Sequence, residues 1–299
     1  MQPILQTIIS MMGGVPDVRG YAYFLGGHTS TYTTLADKYN LATQAVSSGA
    51  ALDVARCYNW GIGNATVGIS MGGSMAAVVS TTSKYNYATQ ATSAGGSMNL
   101  VRYGAAGFGN ATKGYYAGGN SGGGDYSSTG NYTYSSDTSS PLGATLATNR
   151  RHCSGIGSST VGFCVAGFKA GLGARTDLTE FTYSSETITT ETSTTAFYEG
   201  IGVSGPTYGL VGGGDIGINS KEITYSTRAT AAGTNLSFSR YDSFGAGDST
   251  HAVITGGQNG TDQSSTCEYN FSSKAVISGT AIGTARDAGS SHSSSPTWL

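Results

Sequence analysis

The sequence predicts an all-β protein, a closed β-propeller of six four-stranded blades over residues 19–299. Three observations support this prediction. A short strand ending in glycine, a strand carrying tyrosine, and an arginine with glycines at fixed distances each recur every 43–48 residues for most of the chain. Regular repetition at this period indicates tandem supersecondary units. Four short strands per unit, separated by turn residues, are typical of propeller blades.

The first repeated segment is an aromatic or aliphatic strand that ends in two small residues, usually Gly-Gly. Its six copies end at Gly27, Gly73, Gly119, Gly167, Gly214 and Gly257. A second strand follows each copy, at residues 38–41, 84–87, 131–134, 180–183, 222–225 and 268–271. Bulky and polar residues alternate in it with period two, which predicts a strand with one buried face.

The third repeated feature is an arginine, found at Arg56, Arg102, Arg150, Arg240 and Arg286. Each has a glycine seven residues before it and an apolar residue four before it, and four of the five have glycines five and seven residues after it. The fourth unit departs from this pattern, because Thr195 stands at the expected arginine position while Gly200 and Gly202 are retained. We interpret this unit as a degenerate blade within an intact ring.

The chain ends predict how the ring closes. The first double-glycine strand, residues 21–27, has no arginine and glycine-rich strand before it, whereas residues 286–297 supply one at the C-terminus. We therefore expect the C-terminal strand to join the N-terminal blade. Such closure removes the open sheet edges that promote aggregation.

This order of an arginine, a glycine-rich strand, an aromatic strand ending in Gly-Gly and a tyrosine strand resembles the Kelch repeat. The variant here has the turns Tyr-Ser-Ser-Asp at 134–137 and Tyr-Ser-Ser-Glu at 183–186. In this it resembles Kelch-like repeats of virion proteins of marine bacteriophages. The resemblance implies a propeller that serves as a non-enzymatic virion appendage, decoration or tail-fibre protein. It implies a location in the phage particle, with an extracellular or cell-surface location as the alternative.

The repeated arginines allow two interpretations. At the start of each innermost strand they would form a cationic ring at one channel mouth, able to clamp a carboxylate or phosphate. Alternatively, each would bind backbone carbonyls or a carboxylate within the blades, which is the more common role of a residue repeated in every blade. The alternative function, a mutarotase- or oxidase-like Kelch enzyme acting on a sugar, depends on the first arrangement.

The loops between the double-glycine and tyrosine strands are the expected ligand-binding elements, because they differ in length and content while the strands keep their pattern. Their tyrosine, asparagine, serine and glycine content suits a host-surface glycan or receptor. The candidate binding residues are Tyr32, Asn120, Tyr126, Asp215, Asn219, Asn259 and Asp262.

Composition excludes several classes of partner. The net charge is −2, with 15 Lys and Arg against 17 Asp and Glu, so nothing indicates nucleic-acid binding. No apolar window is long enough to span a membrane. No motif indicates a cofactor, and the four histidines include one pair, His28 and His292, that we expect in the same blade. Without a further ligand fixed by any motif, no metal site is predicted.

Two further segments give predictions. Cys153 and Cys164 flank a turn predicted at Ser158-Ser159, which would place them opposite each other; either a disulfide or two small buried side chains would fit. Residues 1–18 lie outside the repeat, and their apolar residues are spaced as on one face of a short helix. We expect this segment to plug the propeller or to attach it to other virion proteins or to sister copies, which leaves a homo-oligomer open.

Overall fold

The computed structural model describes residues 20–191 and 194–294 and contains six four-stranded antiparallel sheets arranged around a channel. This confirms the predicted all-β, six-bladed propeller. The first eleven strands in chain order are β1 Tyr21–Leu25, β2 Ala36–Asn40, β3 Val46–Ser48, β4 Trp60–Gly63, β5 Val67–Met71, β6 Thr82–Asn86, β7 Ala91–Gly95, β8 Ala106–Gly109, β9 Lys113–Ala117, β10 Ser128–Thr133 and β11 Thr138–Thr145.

The remaining strands are β12 Ser154–Gly157, β13 Val161–Val165, β14 Phe168–Lys169, β15 Gly173–Ala174, β16 Leu178–Thr182, β17 Thr187–Glu191, β18 Gly200–Ser204, β19 Tyr208–Gly213, β20 Ser220–Thr224, β21 Thr230–Ala232, β22 Phe244–Gly247, β23 His251–Thr255, β24 Thr266–Asn270, β25 Val276–Gly279 and β26 Ser290–Ser293. Strands β14 and β15 form a small extra hairpin in blade 4, and a short 3₁₀ turn, Gly214–Ile216, follows β19.

The ring closes through the C-terminal strand, as the sequence predicts. Blade 1 has the order β26, β1, β2, β3, and β26 runs antiparallel to β1 with Ala22 opposite Ser293 and Leu25 opposite Ser290. Closure also includes a buried ion pair between Arg286 and Asp37. The N-terminal and C-terminal segments of the propeller therefore share one sheet and one charged pair.

Glycines allow the innermost strands to pack closely around the channel. A Cβ atom added to Gly61 would lie 1.9 Å from the carbonyl oxygen of Ser291, and one added to Gly155 would lie 2.0 Å from that of Gly107. No side chain fits at such distances. In blade 1 the equivalent position is Ser291 itself, whose hydroxyl donates to the carbonyl of Gly245 at 2.7 Å.

The bulky residues of the tyrosine strands pack between neighbouring blades. Between blades 3 and 4, Tyr115 stacks on Tyr183 with ring centroids 5.0 Å apart, and Phe181 lies 4.7 Å from Tyr115. The core is thus a series of clusters at the interfaces between blades. This packing is the physical basis of the period-two pattern in the sequence.

The structure changes the assignment of the arginine position in the degenerate unit. The Gly167 amide donates to the carbonyl of Phe197 at 2.9 Å, just as the Gly119 amide donates to that of Arg150. Phe197, and not Thr195, therefore occupies the arginine position. The assignment from sequence was wrong because it aligned Gly200 and Gly202 with the two conserved glycines, whereas Gly202 alone packs on the backbone of Gly155.

The propeller has two different faces. Antiparallel pairing brings the loops between the second and third strands of every blade to the same side as the connections that lead to the next blade. We call this side the loop face. The opposite side, the turn face, carries the short turns between first and second strands and between third and fourth strands. The channel opens on the loop face beside the connections between blades.

Two further predictions concern the N-terminal anchor segment and membrane spans. The anchor segment 1–18 lies outside the described residues, so its predicted role stays a prediction. No helix in the described part of the chain is long and apolar enough to cross a membrane.

Candidate functional site

The repeated arginines lie inside the blades. Their exposed fractions are 0–5 %. Arg102 donates from Nη1 to the carbonyl of Gly118 at 2.8 Å and from Nη2 to the hydroxyl of Ser128 at 3.1 Å. Arg56 and Arg240 make the equivalent bonds in blades 2 and 6. Each guanidinium thus joins the double-glycine strand to the segment that enters the tyrosine strand.

The other two arginines have the same kind of role with different partners. Arg150 donates to the carbonyl of Cys164 at 3.2 Å and to the hydroxyl of Thr179 at 2.9 Å. Arg286 donates to the backbone and to Asp37. The structure thus shows the second of the two arrangements, in which each arginine binds backbone carbonyls or a carboxylate. The alternative cationic ring at the channel mouth is not formed, because these side chains are enclosed by the loops that they hold together.

The channel mouth is instead formed by a closed belt of backbone hydrogen bonds. The belt residues stand two positions after the arginine position and are Tyr58, Gly104, His152, Glu199, Asp242 and Ala288. Each amide donates to the carbonyl of its equivalent in the preceding blade, and the Tyr58 amide completes the circle at Ala288. All six have φ between 51° and 61°, the left-handed region. The whole circumference of the channel mouth is thus formed by backbone hydrogen bonds.

Three belt side chains from consecutive blades converge at the mouth. His152 Nε2 lies 3.8 Å from Glu199 Oε1, and His152 Nδ1 lies 4.0 Å from Asp242 Oδ1. The His152 and Asp242 side chains are each 10 % exposed, and that of Glu199 is 24 % exposed. The His152 imidazole therefore lies between two partly enclosed carboxylates.

Burial dominates the protonation of this cluster. It raises the pKa of Asp242 well above its usual value, and the negative charges of Glu199 and Asp287 add to the rise. Burial also raises the pKa of Glu199 and lowers the pKa of His152 to about 4. The nearby guanidinium of Arg151 is bound to Asp125 at 2.6 Å. The cluster is therefore a site where an added positive charge would be stabilised.

Tyrosines surround the mouth. Tyr58 and Tyr103 both contact the ring of His152 edge-on, with centroids 5.7 and 5.8 Å away. Tyr198 and Tyr241 lie on the opposite part of the rim, 6.5 Å from each other. All four rings are half-buried, so each presents part of its surface to the solvent. The mouth thus combines aromatic surface with carboxylates and an imidazole.

A second polar group lies further out on the loop face. His28 Nδ1 is 4.0 Å from Asp287 Oδ1, and Asp262 completes a set whose ligand atoms all lie within 4.8 Å of one another. Tyr32 contacts the His28 ring edge-on at 6.1 Å. Burial, followed by the charge of Asp262, raises the pKa of Asp287 to about 6. His28 is 42 % exposed, so this group is open to solvent.

The predicted binding residues do not converge on one pocket. Tyr32 and Asp262 belong to the second polar group, whereas the other five lie on the loops of blades 3, 5 and 6 on the same face. Asn120 is buried and donates to Asp125 at 2.7 Å, so it supports its own loop. Tyr126 faces Arg102 at 5.0 Å. The exposed members are Tyr32, Asp215, Asn219 and Asn259.

His28 and His292 do not form a pair. His292 lies in the core on β26, with Nδ1 3.0 Å from the hydroxyl of Tyr87, and burial lowers its pKa to about 3. The two histidines share blade 1, as predicted, but His28 is on the loop face. The shared blade therefore does not bring their rings together.

The cysteine register differs from the prediction. Strands β12 and β13 pair Ser154 with Val165, so Cys153 is not directly opposite Cys164. All four cysteines are buried free thiols. Cys153 hydrogen-bonds to Cys164 and, with Arg150, lowers the pKa of Cys164 to about 7 against the opposing effect of burial. The turn is longer than the two residues assumed, which shifts the pairing.

Comparisons with protein-family models and with curated proteins found no match. The belt was missed from sequence, although its signal was present. Residues at one repeat position must lie around one circle, and the position two after each arginine carries His152 and Asp242. Glu199 could not be added, because Thr195 had been assigned to the arginine position.

Proposed function

We propose that this protein is a non-enzymatic binding propeller that recognises a surface glycan or a protein through its loop face. The observation that supports this is the channel mouth, where four half-buried tyrosines either belong to the backbone belt, as Tyr58 does, or directly precede a belt residue, as Tyr103, Tyr198 and Tyr241 do. Tyrosine provides rigid, amphipathic contact area at low entropic cost. Loops of small polar residues surround the mouth, on a scaffold that does not need to reorganise for binding.

We also propose that the propeller is a virion appendage or decoration protein of tail-fibre type. This rests on the resemblance of its Tyr-Ser-Ser-Asp and Tyr-Ser-Ser-Glu turns to Kelch-like repeats of marine phage virion proteins. In this role its partners are other virion proteins and a host receptor. An extracellular or cell-surface location is the alternative.

The binding role is tested with the purified propeller on a glycan array and on intact host cells. Tyr103→Ala and Tyr198→Ala change two sides of the rim and should each weaken binding at least about tenfold, the effect expected of aromatic anchors. Ile277→Ala is the matched control, because Ile277 is half-exposed on β25, the outermost strand of blade 6. Binding that is lost equally in all three variants, or retained in all three, would contradict a site at the mouth.

The virion role is tested separately by immunogold labelling and mass spectrometry of purified phage particles. The proposal expects the protein on the outer surface of the particle. Its absence from particles, together with its presence at a cell surface, would support the alternative location.

A second candidate is a sugar-converting enzyme on the same scaffold. Because the arginines are buried, such an enzyme would have to use the mouth cluster of His152, Glu199 and Asp242. Carboxyl groups whose pKa is raised by burial, as here, also occur in acid–base catalysis. Anomer exchange or product formation followed by NMR, and abolished by Glu199→Gln, would replace the binding proposal.

A further inference from the structure

One site on the loop face has a chemistry that the proposed function does not use. We infer that His152, Glu199 and Asp242 form a binding site for a divalent transition-metal ion of the Zn²⁺ class at the channel mouth. This inference goes beyond the proposed function, and its test needs neither a glycan nor a protein partner.

The backbone holds the three residues in a ligating arrangement. They occupy the same repeat position in the connections into blades 4, 5 and 6. The Glu199 amide donates to the carbonyl of His152 at 3.4 Å, and the Asp242 amide donates to that of Glu199 at 2.9 Å. Ligands that are held by a rigid backbone lose little freedom when an ion binds.

The distances between the side chains suit one shared ion. The potential ligand atoms of the three residues all lie within 4.8 Å of one another. A tetrahedral Zn²⁺ with bonds of about 2.1 Å separates its ligand atoms by about 3.4 Å. Ligand atoms that lie within 4.8 Å of one another therefore need to approach by at most about 1.4 Å, which rotation of the side chains can supply.

Within the described part of the chain, the Asp242 carboxylate of this cluster lacks a compensating partner. Among the described residues, no hydrogen-bond donor reaches the Asp242 carboxylate, although its side chain is nine-tenths buried, and its nearest cationic candidate is His152 at 4.0 Å. A buried carboxylate without partners is costly. A neutral histidine offers a ring-nitrogen lone pair to a metal ion. An ion in this position would satisfy both groups.

The donor set points to a transition metal. One imidazole nitrogen with two carboxylates suits Zn²⁺, Co²⁺ or Mn²⁺, whereas Mg²⁺ and Ca²⁺ prefer oxygen ligands alone. Three protein ligands leave a coordination position for water on the channel side. The group of His28, Asp262 and Asp287 has similar donors, but the 42 % exposed His28 makes it the less enclosed of the two. It therefore provides a control within the same molecule.

The test is calorimetric titration of the chelator-treated, full-length protein with Zn²⁺ and, separately, with Ca²⁺. Co²⁺ absorption in the visible range reports the coordination geometry. The site variants are His152→Gln and Asp242→Asn, and His28→Gln is the matched control. Thermal melts of the metal-free variants verify that each is folded, and if His152→Gln does not fold, Asp242→Asn serves instead.

We expect wild type and His28→Gln to bind Zn²⁺ with the same affinity and to gain melting temperature with it, as linkage requires. Both site variants should bind at least about 100-fold more weakly, since loss of a supporting group alone costs about 10–100-fold. Absence of Zn²⁺ binding, binding lost in His28→Gln but kept in the site variants, or equal affinity for Ca²⁺ would each overturn the inference.

Discussion

Closure of the ring depends on a buried charge pair, and this can be tested by removing one partner. Arg286 is fully buried; it pairs with Asp37, whose side chain is 9 % exposed, and donates to the carbonyls of Gly26 and Phe24 at 2.9 and 2.8 Å. Arg286→Met leaves the Asp37 carboxylate enclosed without its cation. Breaking a buried pair in this way costs about 3–5 kcal/mol. At about 2–4 °C per kcal/mol, the melting temperature should fall by roughly 6–20 °C.

The double variant distinguishes loss of the pair from loss of packing. Asp37→Asn removes the uncompensated charge, and its side-chain oxygen can still accept from the Gly283 amide. Arg286→Met with Asp37→Asn should therefore be at least about 1 kcal/mol more stable than Arg286→Met, a coupling within the usual range for contacting residues. The measurement is urea unfolding followed by far-UV circular dichroism and by the fluorescence of buried Trp60. A double variant as unstable as Arg286→Met, or less stable, would refute this account of closure.

Three other predictions follow from packing, protonation and thiol burial. Gly155→Ala should lower the free energy of unfolding by about 1–3 kcal/mol through overpacking, whereas Gly143→Ala, with no atom within 4 Å of the added Cβ, should leave it unchanged or slightly raised; equal melting temperatures would contradict this. Since His292 is neutral when folded, with a pKa of about 3, but titrates near 6.5 when unfolded, it destabilises the fold as the pH falls below about 6.5. His292→Phe should remove up to about 1.4 kcal/mol per pH unit of that loss. The urea midpoints of wild type and variant are measured at pH 4, 5 and 7, and an equal decrease of the midpoint with falling pH in both proteins would disprove the assignment. A thiol titration should find no reactive cysteine in the folded protein and four in the unfolded protein; two in the unfolded protein would indicate a disulfide.

The fold could be predicted from local pattern because each blade repeats one solution to the same packing problem. Bulky and polar residues alternate in the strands because aromatic rings such as Tyr115 and Tyr183 pack between neighbouring blades. Glycines recur because the innermost strands of neighbouring blades approach each other closely at positions such as Gly155. Repetition multiplies these signals six times. The blade order and the closure by β26 could therefore be inferred before any contact was known.

The candidate site could not be predicted in the same way, because it depends on differences between the repeats. His152, Glu199 and Asp242 are far apart in the chain and come together only when blades 4, 5 and 6 bring equivalent positions to one channel mouth. A single misassigned position, Thr195 in place of Phe197, was enough to hide one member.

The order of the strands and the closed ring thus follow from residues that recur, since recurrence reports a requirement of the architecture. The orientation of the arginines, buried in the blades instead of lining the mouth, was decided by tertiary packing. So was the convergence of His152, Glu199 and Asp242 at the channel mouth. The direction and solvent exposure of an individual side chain depend on its contacts with the neighbouring blade, and period and spacing alone do not specify those contacts.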